Sequence, residues 1–440
     1  MEGKNTKMLS IEISNNTTHK LGVAGLVAVV IPIIALGRCL FFSNKISMVA
    51  SLCVLALALL AYGFKFEAID CLVTLSVLLM LLHKTDKYAF YLCGYGVLAA
   101  VAFLFFKCKK ATNSLRILLN TMAVFSLINM AVSIINFMNP DLYFNIINFL
   151  LLPDMAEDAK FYYEAWGHIC GLSDHYSRNA YFCVLGCMIF FAKFLAEDKH
   201  RKTYFIIGVT EFALLVCLGK RGHLLFMVAA TTFVYLWMEP KLSKKLTRLL
   251  KLIVILCVAL AIIIEFVPTS VIDFSTIFTH DAKDISTGRF ALWSRAISLF
   301  KENVLFGKGY GYFTANTINS TINLNYAGVH NDYLQWLCEE GIIGFLINMM
   351  IMILAFIMGL RMLKYSLRKT ILLDAKEKTA LIWAVLFQTF VIMYSMTGLP
   401  HFDYEINIIY YIAMAIPYSI AGCKNVCLHQ SARFKGLLMR

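Results

Sequence analysis

His330 stands at the head of the stretch Val329-His-Asn-Asp-Tyr-Leu-Gln-Trp336. A histidine titrates near neutrality, which makes it the natural general base for a hydroxyl, although a lone histidine near a membrane boundary is more often structural. Just upstream, Gly307-Lys-Gly-Tyr-Gly-Tyr-Phe313 has glycines at alternate positions, as a phosphate cradle does. No strand precedes it, no strand–helix–strand unit surrounds it, and no nucleotide-loop lysine pattern is present, so a tight turn that needs glycine is the better reading. The sequence has no paired CxxC spacing for zinc. The nearest approach to an Asp-x-Asp metal element, Asp281-Ala-Lys-Asp284, is spaced wrongly. These patterns offer no metal site, and no cofactor is expected. Glu211 and Asp70 fall inside apolar runs, where an ionisable side chain is a candidate for function. Their roles stay open at this level.

The elements that must position these residues are set by composition. Hydrophobic residues make up 60% of the 440 positions and charged residues only 15%. A soluble domain carries about 25% charged residues, so this chain is too apolar for water. A net charge of +13 would suit a nucleic-acid partner in a soluble protein. In a membrane protein it reports Lys and Arg held in cytoplasmic loops, so no nucleic acid is expected and the lipid bilayer is the first partner. The 13 Cys lie mostly inside apolar runs, where a free thiol packs as a small hydrophobe, and their odd number argues against a disulfide framework.

Runs of about 20 apolar residues mark membrane spans, and about twelve can be placed. They are Leu21–Phe42, Ile46–Phe64, Ala68–Leu82, Tyr88–Phe106, Leu115–Phe137, Asn179–Phe194, Thr203–Leu218, His223–Met238, Leu249–Val267, Gly341–Leu360, Ala380–Gly398 and Tyr404–Ala421. With the N-terminus in the cytoplasm, roughly two thirds of the Lys and Arg residues fall on the inner side, the positive-inside pattern. The clusters Lys107/Lys109/Lys110, Lys199/Arg201/Lys202, Lys241/Lys244/Lys245/Arg248 and Arg361/Lys364/Arg368/Lys369 are all inner. The expectation is an all-α polytopic bundle, residues 1–440 forming one membrane domain with both termini cytoplasmic. Two long outer segments remain, 138–178 and 268–338, and long connections of this kind tend to carry function. Within the second, Ser286–Phe300 has helical periodicity. Phe290, Trp293, Ile297 and Phe300 form an apolar stripe, Arg289 and Arg295 sit off it, and Ser286 or Thr287 could cap it. This suits a helix in the membrane interface with Trp293 at headgroup level, or one packed on the bundle surface.

Taken in order, Gly288-Arg289…Trp293, the Gly307/Gly309/Gly311 run and His330-Asn331…Leu334…Glu340-Gly341…Gly344 resemble the bacterial O-antigen ligase and polymerase family of polytopic membrane proteins. Leu218-Gly-Lys-Arg-Gly222 resembles that family's small-residue/Arg element, with Lys220 departing from the small residue usual there. Gly171-Leu-Ser-Asp-His-Tyr-Ser-Arg-Asn179 is similar, more loosely, to its Gly/Asn element. The likeness covers about residues 171–345. It implies a membrane glycosyltransferase that moves a glycan from a polyprenyl diphosphate to a hydroxyl acceptor on the outer face of the cell inner (cytoplasmic) membrane. The acceptor is another lipid-linked glycan in a polymerase and a lipid or other anchor in a ligase. The resemblance further implies an inverting, metal-independent reaction. It also implies flippase and chain-length regulator proteins of the same pathway as partners.

The chemistry suits these residue types. A guanidinium is always charged and matches phosphate oxygens as a fork, so Arg221 and Arg289 are the expected diphosphate ligands. Arg221 at a boundary could equally snorkel. His330 would take the proton of the attacking hydroxyl. Asn331 would cap the following helix or orient His330, the cap being favoured. Arg178, His175 and Trp293 are further candidate substrate contacts. Sugars could stack on Tyr162, Tyr163, Trp166 or Tyr310, though interface aromatics commonly act as anchors. Asp403 and Glu405 precede the last span and could line the site. A polytopic transporter or lipid-glycan flippase is the competing class, but it would show two similar halves and would leave the outer motifs unexplained.

Overall fold

The computed structural model describes residues 22–41, 67–83, 87–251, 288–316 and 328–424, with isolated residues within 49–56, 253–254 and 318–325. In chain order the helices are α1 (Val23–Leu36), α2 (Arg38–Phe41), α3 (Ala68–Leu82), α4 (Lys87–Lys107), α5 (Leu115–Met138), α6 (Pro140–Leu150), α7 (Pro153–Trp166), α8 (Tyr176–Ala196), α9 (Arg201–Cys217) and α10 (Arg221–Trp237). They continue with α11 (Arg289–Glu302), α12 (Tyr312–Asn316), α13 (Asp332–Leu367), α14 (Ala375–Tyr394) and α15 (Tyr404–Cys423). The expected all-α class holds. Among the described residues the sole strand pairing is a two-residue antiparallel ladder, Ile318–Asn319 against Leu324–Asn325.

A helix occupies each expected span that lies within the described residues. Five are long and apolar enough to cross a membrane: Ala111–Met138, Tyr176–Ala196, Asp332–Leu367, Ala375–Tyr394 and Tyr404–Cys423. Helices α1 and α3 and the segment Cys93–Lys107 are apolar but shorter. Helices α9 and α10 have 17 residues each. The expected spans Ile46–Phe64 and Leu249–Val267 lie largely outside the described residues, as do the two termini, the caps Ser286 and Thr287, and Asp281 and Asp284.

Burial sorts the helices into centre and wall. Helices α8, α14 and α15 are buried along most of their length. In contrast, α13 leaves Leu346, Met350, Ile353, Leu354 and Ile357 exposed on one face. An exposed apolar stripe of that length has no place in water and fits hydrocarbon. The first long outer segment is not a loop, since most of it folds into α6 and α7. Each carries Pro in its first turn, where the missing N–H costs nothing.

The acids expected inside spans have local partners. Asp70 lies in the first turn of α3, where it closes a capping box with Glu67 and pairs with Lys107 of α4. Glu211 of α9 accepts a hydrogen bond from Ser126 of α5. Ion pairing and hydrogen bonding are what a buried charge or acid requires, so neither needs a ligand to account for it.

Helix α13 is broken at Gly341, whose φ is +67°. There the chain preceding Gly307 inserts: Ile342 N–H donates to Val304 O (2.9 Å), while Lys308 N–H and Gly309 N–H donate to Cys338 O (2.8 Å) and Glu339 O (2.9 Å). Contact is backbone to backbone, because a Cβ on Gly341 would lie 2.3 Å from Leu305 O and one on Gly307 2.4 Å from the Glu339 carbonyl carbon. The break fixes the direction of the short helical piece 332–340, which carries the turn bearing His330. Gly341→Ala should therefore lower Tm by roughly 5 °C or more, because left-handed backbone alone costs about 1–3 kcal/mol and overlap adds to it. In Gly208→Ala the new methyl would lie 3.7 Å from Phe190 Cβ, and it should leave Tm nearly unchanged. Thermal unfolding in detergent measures both, and a Gly341→Ala protein that melts with wild type would refute this role for the break.

Candidate functional site

Four chain segments converge at one end of the bundle: 168–178, 218–223, the start of α11, and 328–332. The first and fourth are held by buried polar side chains, because backbone groups that leave a helix inside a packed structure need partners.

The first segment rests on a polar stripe of α5. Asn129, Ser133 and Asn136 recur at i, i+4 and i+7 and are fully buried. Asn129 Oδ1 accepts from Leu172 N–H (3.0 Å) and Asn136 Oδ1 from Cys170 N–H (3.0 Å). Asn179 of α8 completes the clamp, accepting from Asn129 Nδ2 (2.8 Å) and donating to Ile169 O (3.1 Å). Gly171 (φ +57°) sits among these amides, where a Cβ would come within 2.7 Å of Asn129 and Asn179. The loosely matched Gly/Asn element is thus a loop clamp. His175 follows as the N-cap of α8, its Nδ1 accepting from Ser177 N–H (3.0 Å).

The fourth segment is tied down by Asp332. Its carboxylate is buried and accepts from Ser395 Oγ (2.8 Å); His401 Nδ1 lies 2.7 Å from the same oxygen. Asp332 N–H donates to Ser395 O (2.9 Å). Asn331 caps α13 through Leu334 N–H (3.1 Å), as expected, and its amide also donates to Met396 O (3.0 Å). His330 is left in the left-handed region, with φ +56°. For a residue other than glycine this is strained, and such strain concentrates at functional sites.

The glycine run is a turn, as expected. Gly307, Gly309 and Gly311 have φ values of +72°, +106° and +82°. The N–H groups of Gly311 and Phe313 point at the buried Glu339 carboxylate (2.9 and 3.0 Å). These donors are occupied, so the run is not a phosphate cradle.

Charge converges on His330. His330 is exposed to solvent. Lost hydration, with the positive charges of Arg289 and Lys220, holds its pKa well below the ordinary histidine value. Burial and Lys220 push His168 down to about 4. Burial, Lys220, His168 and His330 push His175 down to about 3. Lys220 is itself lowered to about 7, by burial and by Arg289. Its Nζ lies 3.5 Å from the centroid of the Tyr176 ring, and it has no carboxylate partner among the described residues. The result is a site with two coupled cations, Lys220 and Arg289, beside three imidazoles held neutral. An anion bound there would relieve the mutual repulsion.

The structure brings Arg289, His175 and His330 together. Arg221 begins α10 one position beyond Lys220 with its side chain exposed, so of the pair it is Lys220 that reaches the centre. Arg178 is engaged by two acids of the fold, Asp174 and Glu405, with its Nε 2.9 Å from Glu405 Oε1. Its charge and that of Glu405 are thereby matched within the protein. Trp293 packs with Ala296 and Leu299 against Phe313 and Val329. Phe290 and Ile297, the other half of the expected stripe, remain exposed, and Gly288 stands at the N-cap position of α11. Tyr310 stacks on Phe402 (5.5 Å) and is buried. Sequence reasoning passed over Lys220 as a site residue, and also His401, Ser395 and the buried His223, which lies 4.4 Å from both Tyr181 and Tyr394. Among the described residues no three His, Cys, Asp or Glu side chains converge as metal ligands would.

No curated protein matches the chain. Residues 203–349 match the family described as O-antigen ligase, a stretch that runs from α9 across α10 and α11 to the first turns of α13 past Gly341 and so contains Lys220, Arg221, Arg289 and His330. With helices long and apolar enough to cross a bilayer, the chain is an integral membrane protein whose residues 203–349 are similar to the O-antigen ligase family.

Proposed function

We propose that the protein is a polysaccharide polymerase of the cytoplasmic membrane. It transfers a glycan from polyprenyl diphosphate to the hydroxyl of a second lipid-linked glycan, with the site facing outward and both termini in the cytoplasm. The observation that carries this is the pairing of two like charges, Lys220 and Arg289, beside a neutral, exposed His330. The acceptor oxygen attacks the anomeric carbon and the bond from that carbon to the diphosphate breaks. The diphosphate departs with the electron pair, and the hydroxyl proton passes to His330. Direct attack inverts the anomeric centre. Lys220 and Arg289 stabilise charge growing on the leaving group, commonly the largest catalytic contribution. A neutral His330 can accept a proton, which a protonated one cannot. Arg221 stands at the rim, one residue from Lys220. The family's description as O-antigen ligase favours a second reading, the same displacement with a lipid or other anchor as acceptor.

Reconstitution with lipid-linked oligosaccharide tests the proposal. Wild type should release polyprenyl diphosphate and lengthen the lipid-linked glycan. Glycan appearing on another anchor would favour the ligase reading, and lipid movement without bond exchange would identify a transporter. His330→Ala should lose about a hundredfold or more in kcat, and Arg289→Ala a comparable factor. Full activity in both variants would refute the assignment.

The pH profile follows from the shifts. Lys220 is charged below about pH 7, so kcat/KM should fall as pH rises through that value and the cation is lost. Lys220→Arg, which stays charged, should abolish this alkaline fall. The acidic fall should lie below the usual histidine range, because His330 stays neutral there. An alkaline limb that persists in Lys220→Arg would rule out Lys220 as its source.

A further inference from the structure

A line of aromatic rings leads away from Lys220. Its Nζ sits over Tyr176, His168 stacks on the same ring at 3.8 Å, and Trp166 follows at 6.1 Å from His168. Tyr162 and Phe161 flank Trp166 at 5.6 and 5.4 Å. The line can turn back on the bundle because Gly167 ends α7 in the left-handed conformation (φ +66°), with Gly167 N–H bonded to Tyr163 O and His168 N–H to Tyr162 O. Its far end is open, with Phe161 56% and Trp166 52% exposed.

Exposed rings at this level could be membrane anchors. Their surroundings argue otherwise. Helix α7 also carries Asp154, Glu157, Asp158, Lys160 and Glu164, and a helix so charged and net acidic suits neither hydrocarbon nor an anionic headgroup layer. Every ring in the line except Phe161 carries a hydrogen-bonding atom, the combination that fits a sugar, with its apolar C–H face and polar rim. The line also has polarity, cationic at Lys220 and acidic beside Trp166. A glycan attached to a diphosphate has the matching polarity: anionic at one end, uncharged along the sugars.

We propose that Phe161, Tyr162, Trp166 and His168, seated against Tyr176, form a track for the sugars of the donor glycan. The diphosphate lies at Lys220, and the chain of uncharged sugars runs outward past Trp166. This rests on the function proposed above and names the substrate contact that function lacks. The track reads sugars at a distance from the bond that breaks, so it sets affinity for long donors and leaves the chemical step alone.

The test uses the full chain in lipid nanodiscs. Donors carrying one sugar or several neutral sugars are compared in the transfer assay. Trp166→Ala and Phe161→Ala should raise KM for the longer donor about tenfold, corresponding to loss of one stacking contact, with kcat unchanged within about twofold. KM for the single-sugar donor should not change, and Trp166→Phe should restore most of the affinity. Equal KM values for wild type and both alanine variants on the longer donor would overturn the track. A second readout does not need catalysis. Free neutral oligosaccharides of the donor's sequence should quench the fluorescence difference between wild type and Trp166→Phe, whereas brominated phospholipid should not. Quenching by brominated lipid instead would make Trp166 an anchor and overturn the proposal. If His330→Ala retained transfer, the catalytic reading would fall while oligosaccharide quenching at Trp166 still decided the track.

Discussion

The site depends on one buried carboxylate. Asp332 gathers Ser395 Oγ, His401 Nδ1 and, through its own N–H, the Ser395 carbonyl. These contacts join the head of α13 to the connection between α14 and α15. Together with the Asn331 amide bonded to Met396 O, they hold the turn 328–332 in which His330 has positive φ. A buried acid costs several kcal/mol unless hydrogen-bonded, and the Ser395 hydroxyl and the His401 ring supply partners to the Asp332 carboxylate.

The same logic recurs on the other side of the site. Asn129, Asn136 and Asn179 spend their amides on the backbone of 169–172, and Glu339 on that of 311–313. Irregular chain at such depth is tolerated only where protein satisfies it. The motifs of this sequence therefore divide into two kinds. The Gly/Asn and glycine-run elements hold loops, and the proposed function assigns substrate contact to the cations and His330. Arg289 sits close enough to Lys220 to lower the lysine's pKa, a repulsion that a bound anion would relieve.

Much of this was legible from residue types and spacing. Apolar run length gave the helices, and alternate glycines gave a turn. Asn331 three residues before a helical N–H gave a cap. His330 and Arg289 were visible because their order with respect to the glycines is distinctive. Lys220 was not, since burial and the approach of Tyr176 are long-range facts that no local pattern encodes. His401 was hidden for the same reason: its partner Asp332 is distant in sequence. The apolar stripe of α11 was only half right. Two overlapping faces satisfy its periodicity, and packing against Phe313 and Val329 selects the one through Ala296 and Leu299.

The central claim is that Lys220 and Arg289 together hold a diphosphate beside His330. Binding of polyprenyl diphosphate to the nanodisc-embedded protein, measured calorimetrically at pH 6.5, tests it without requiring turnover. Lys220→Ala and Arg289→Ala should each weaken Kd by about tenfold or more, while His330→Ala binds as wild type. Unchanged Kd in both cation variants would contradict the account.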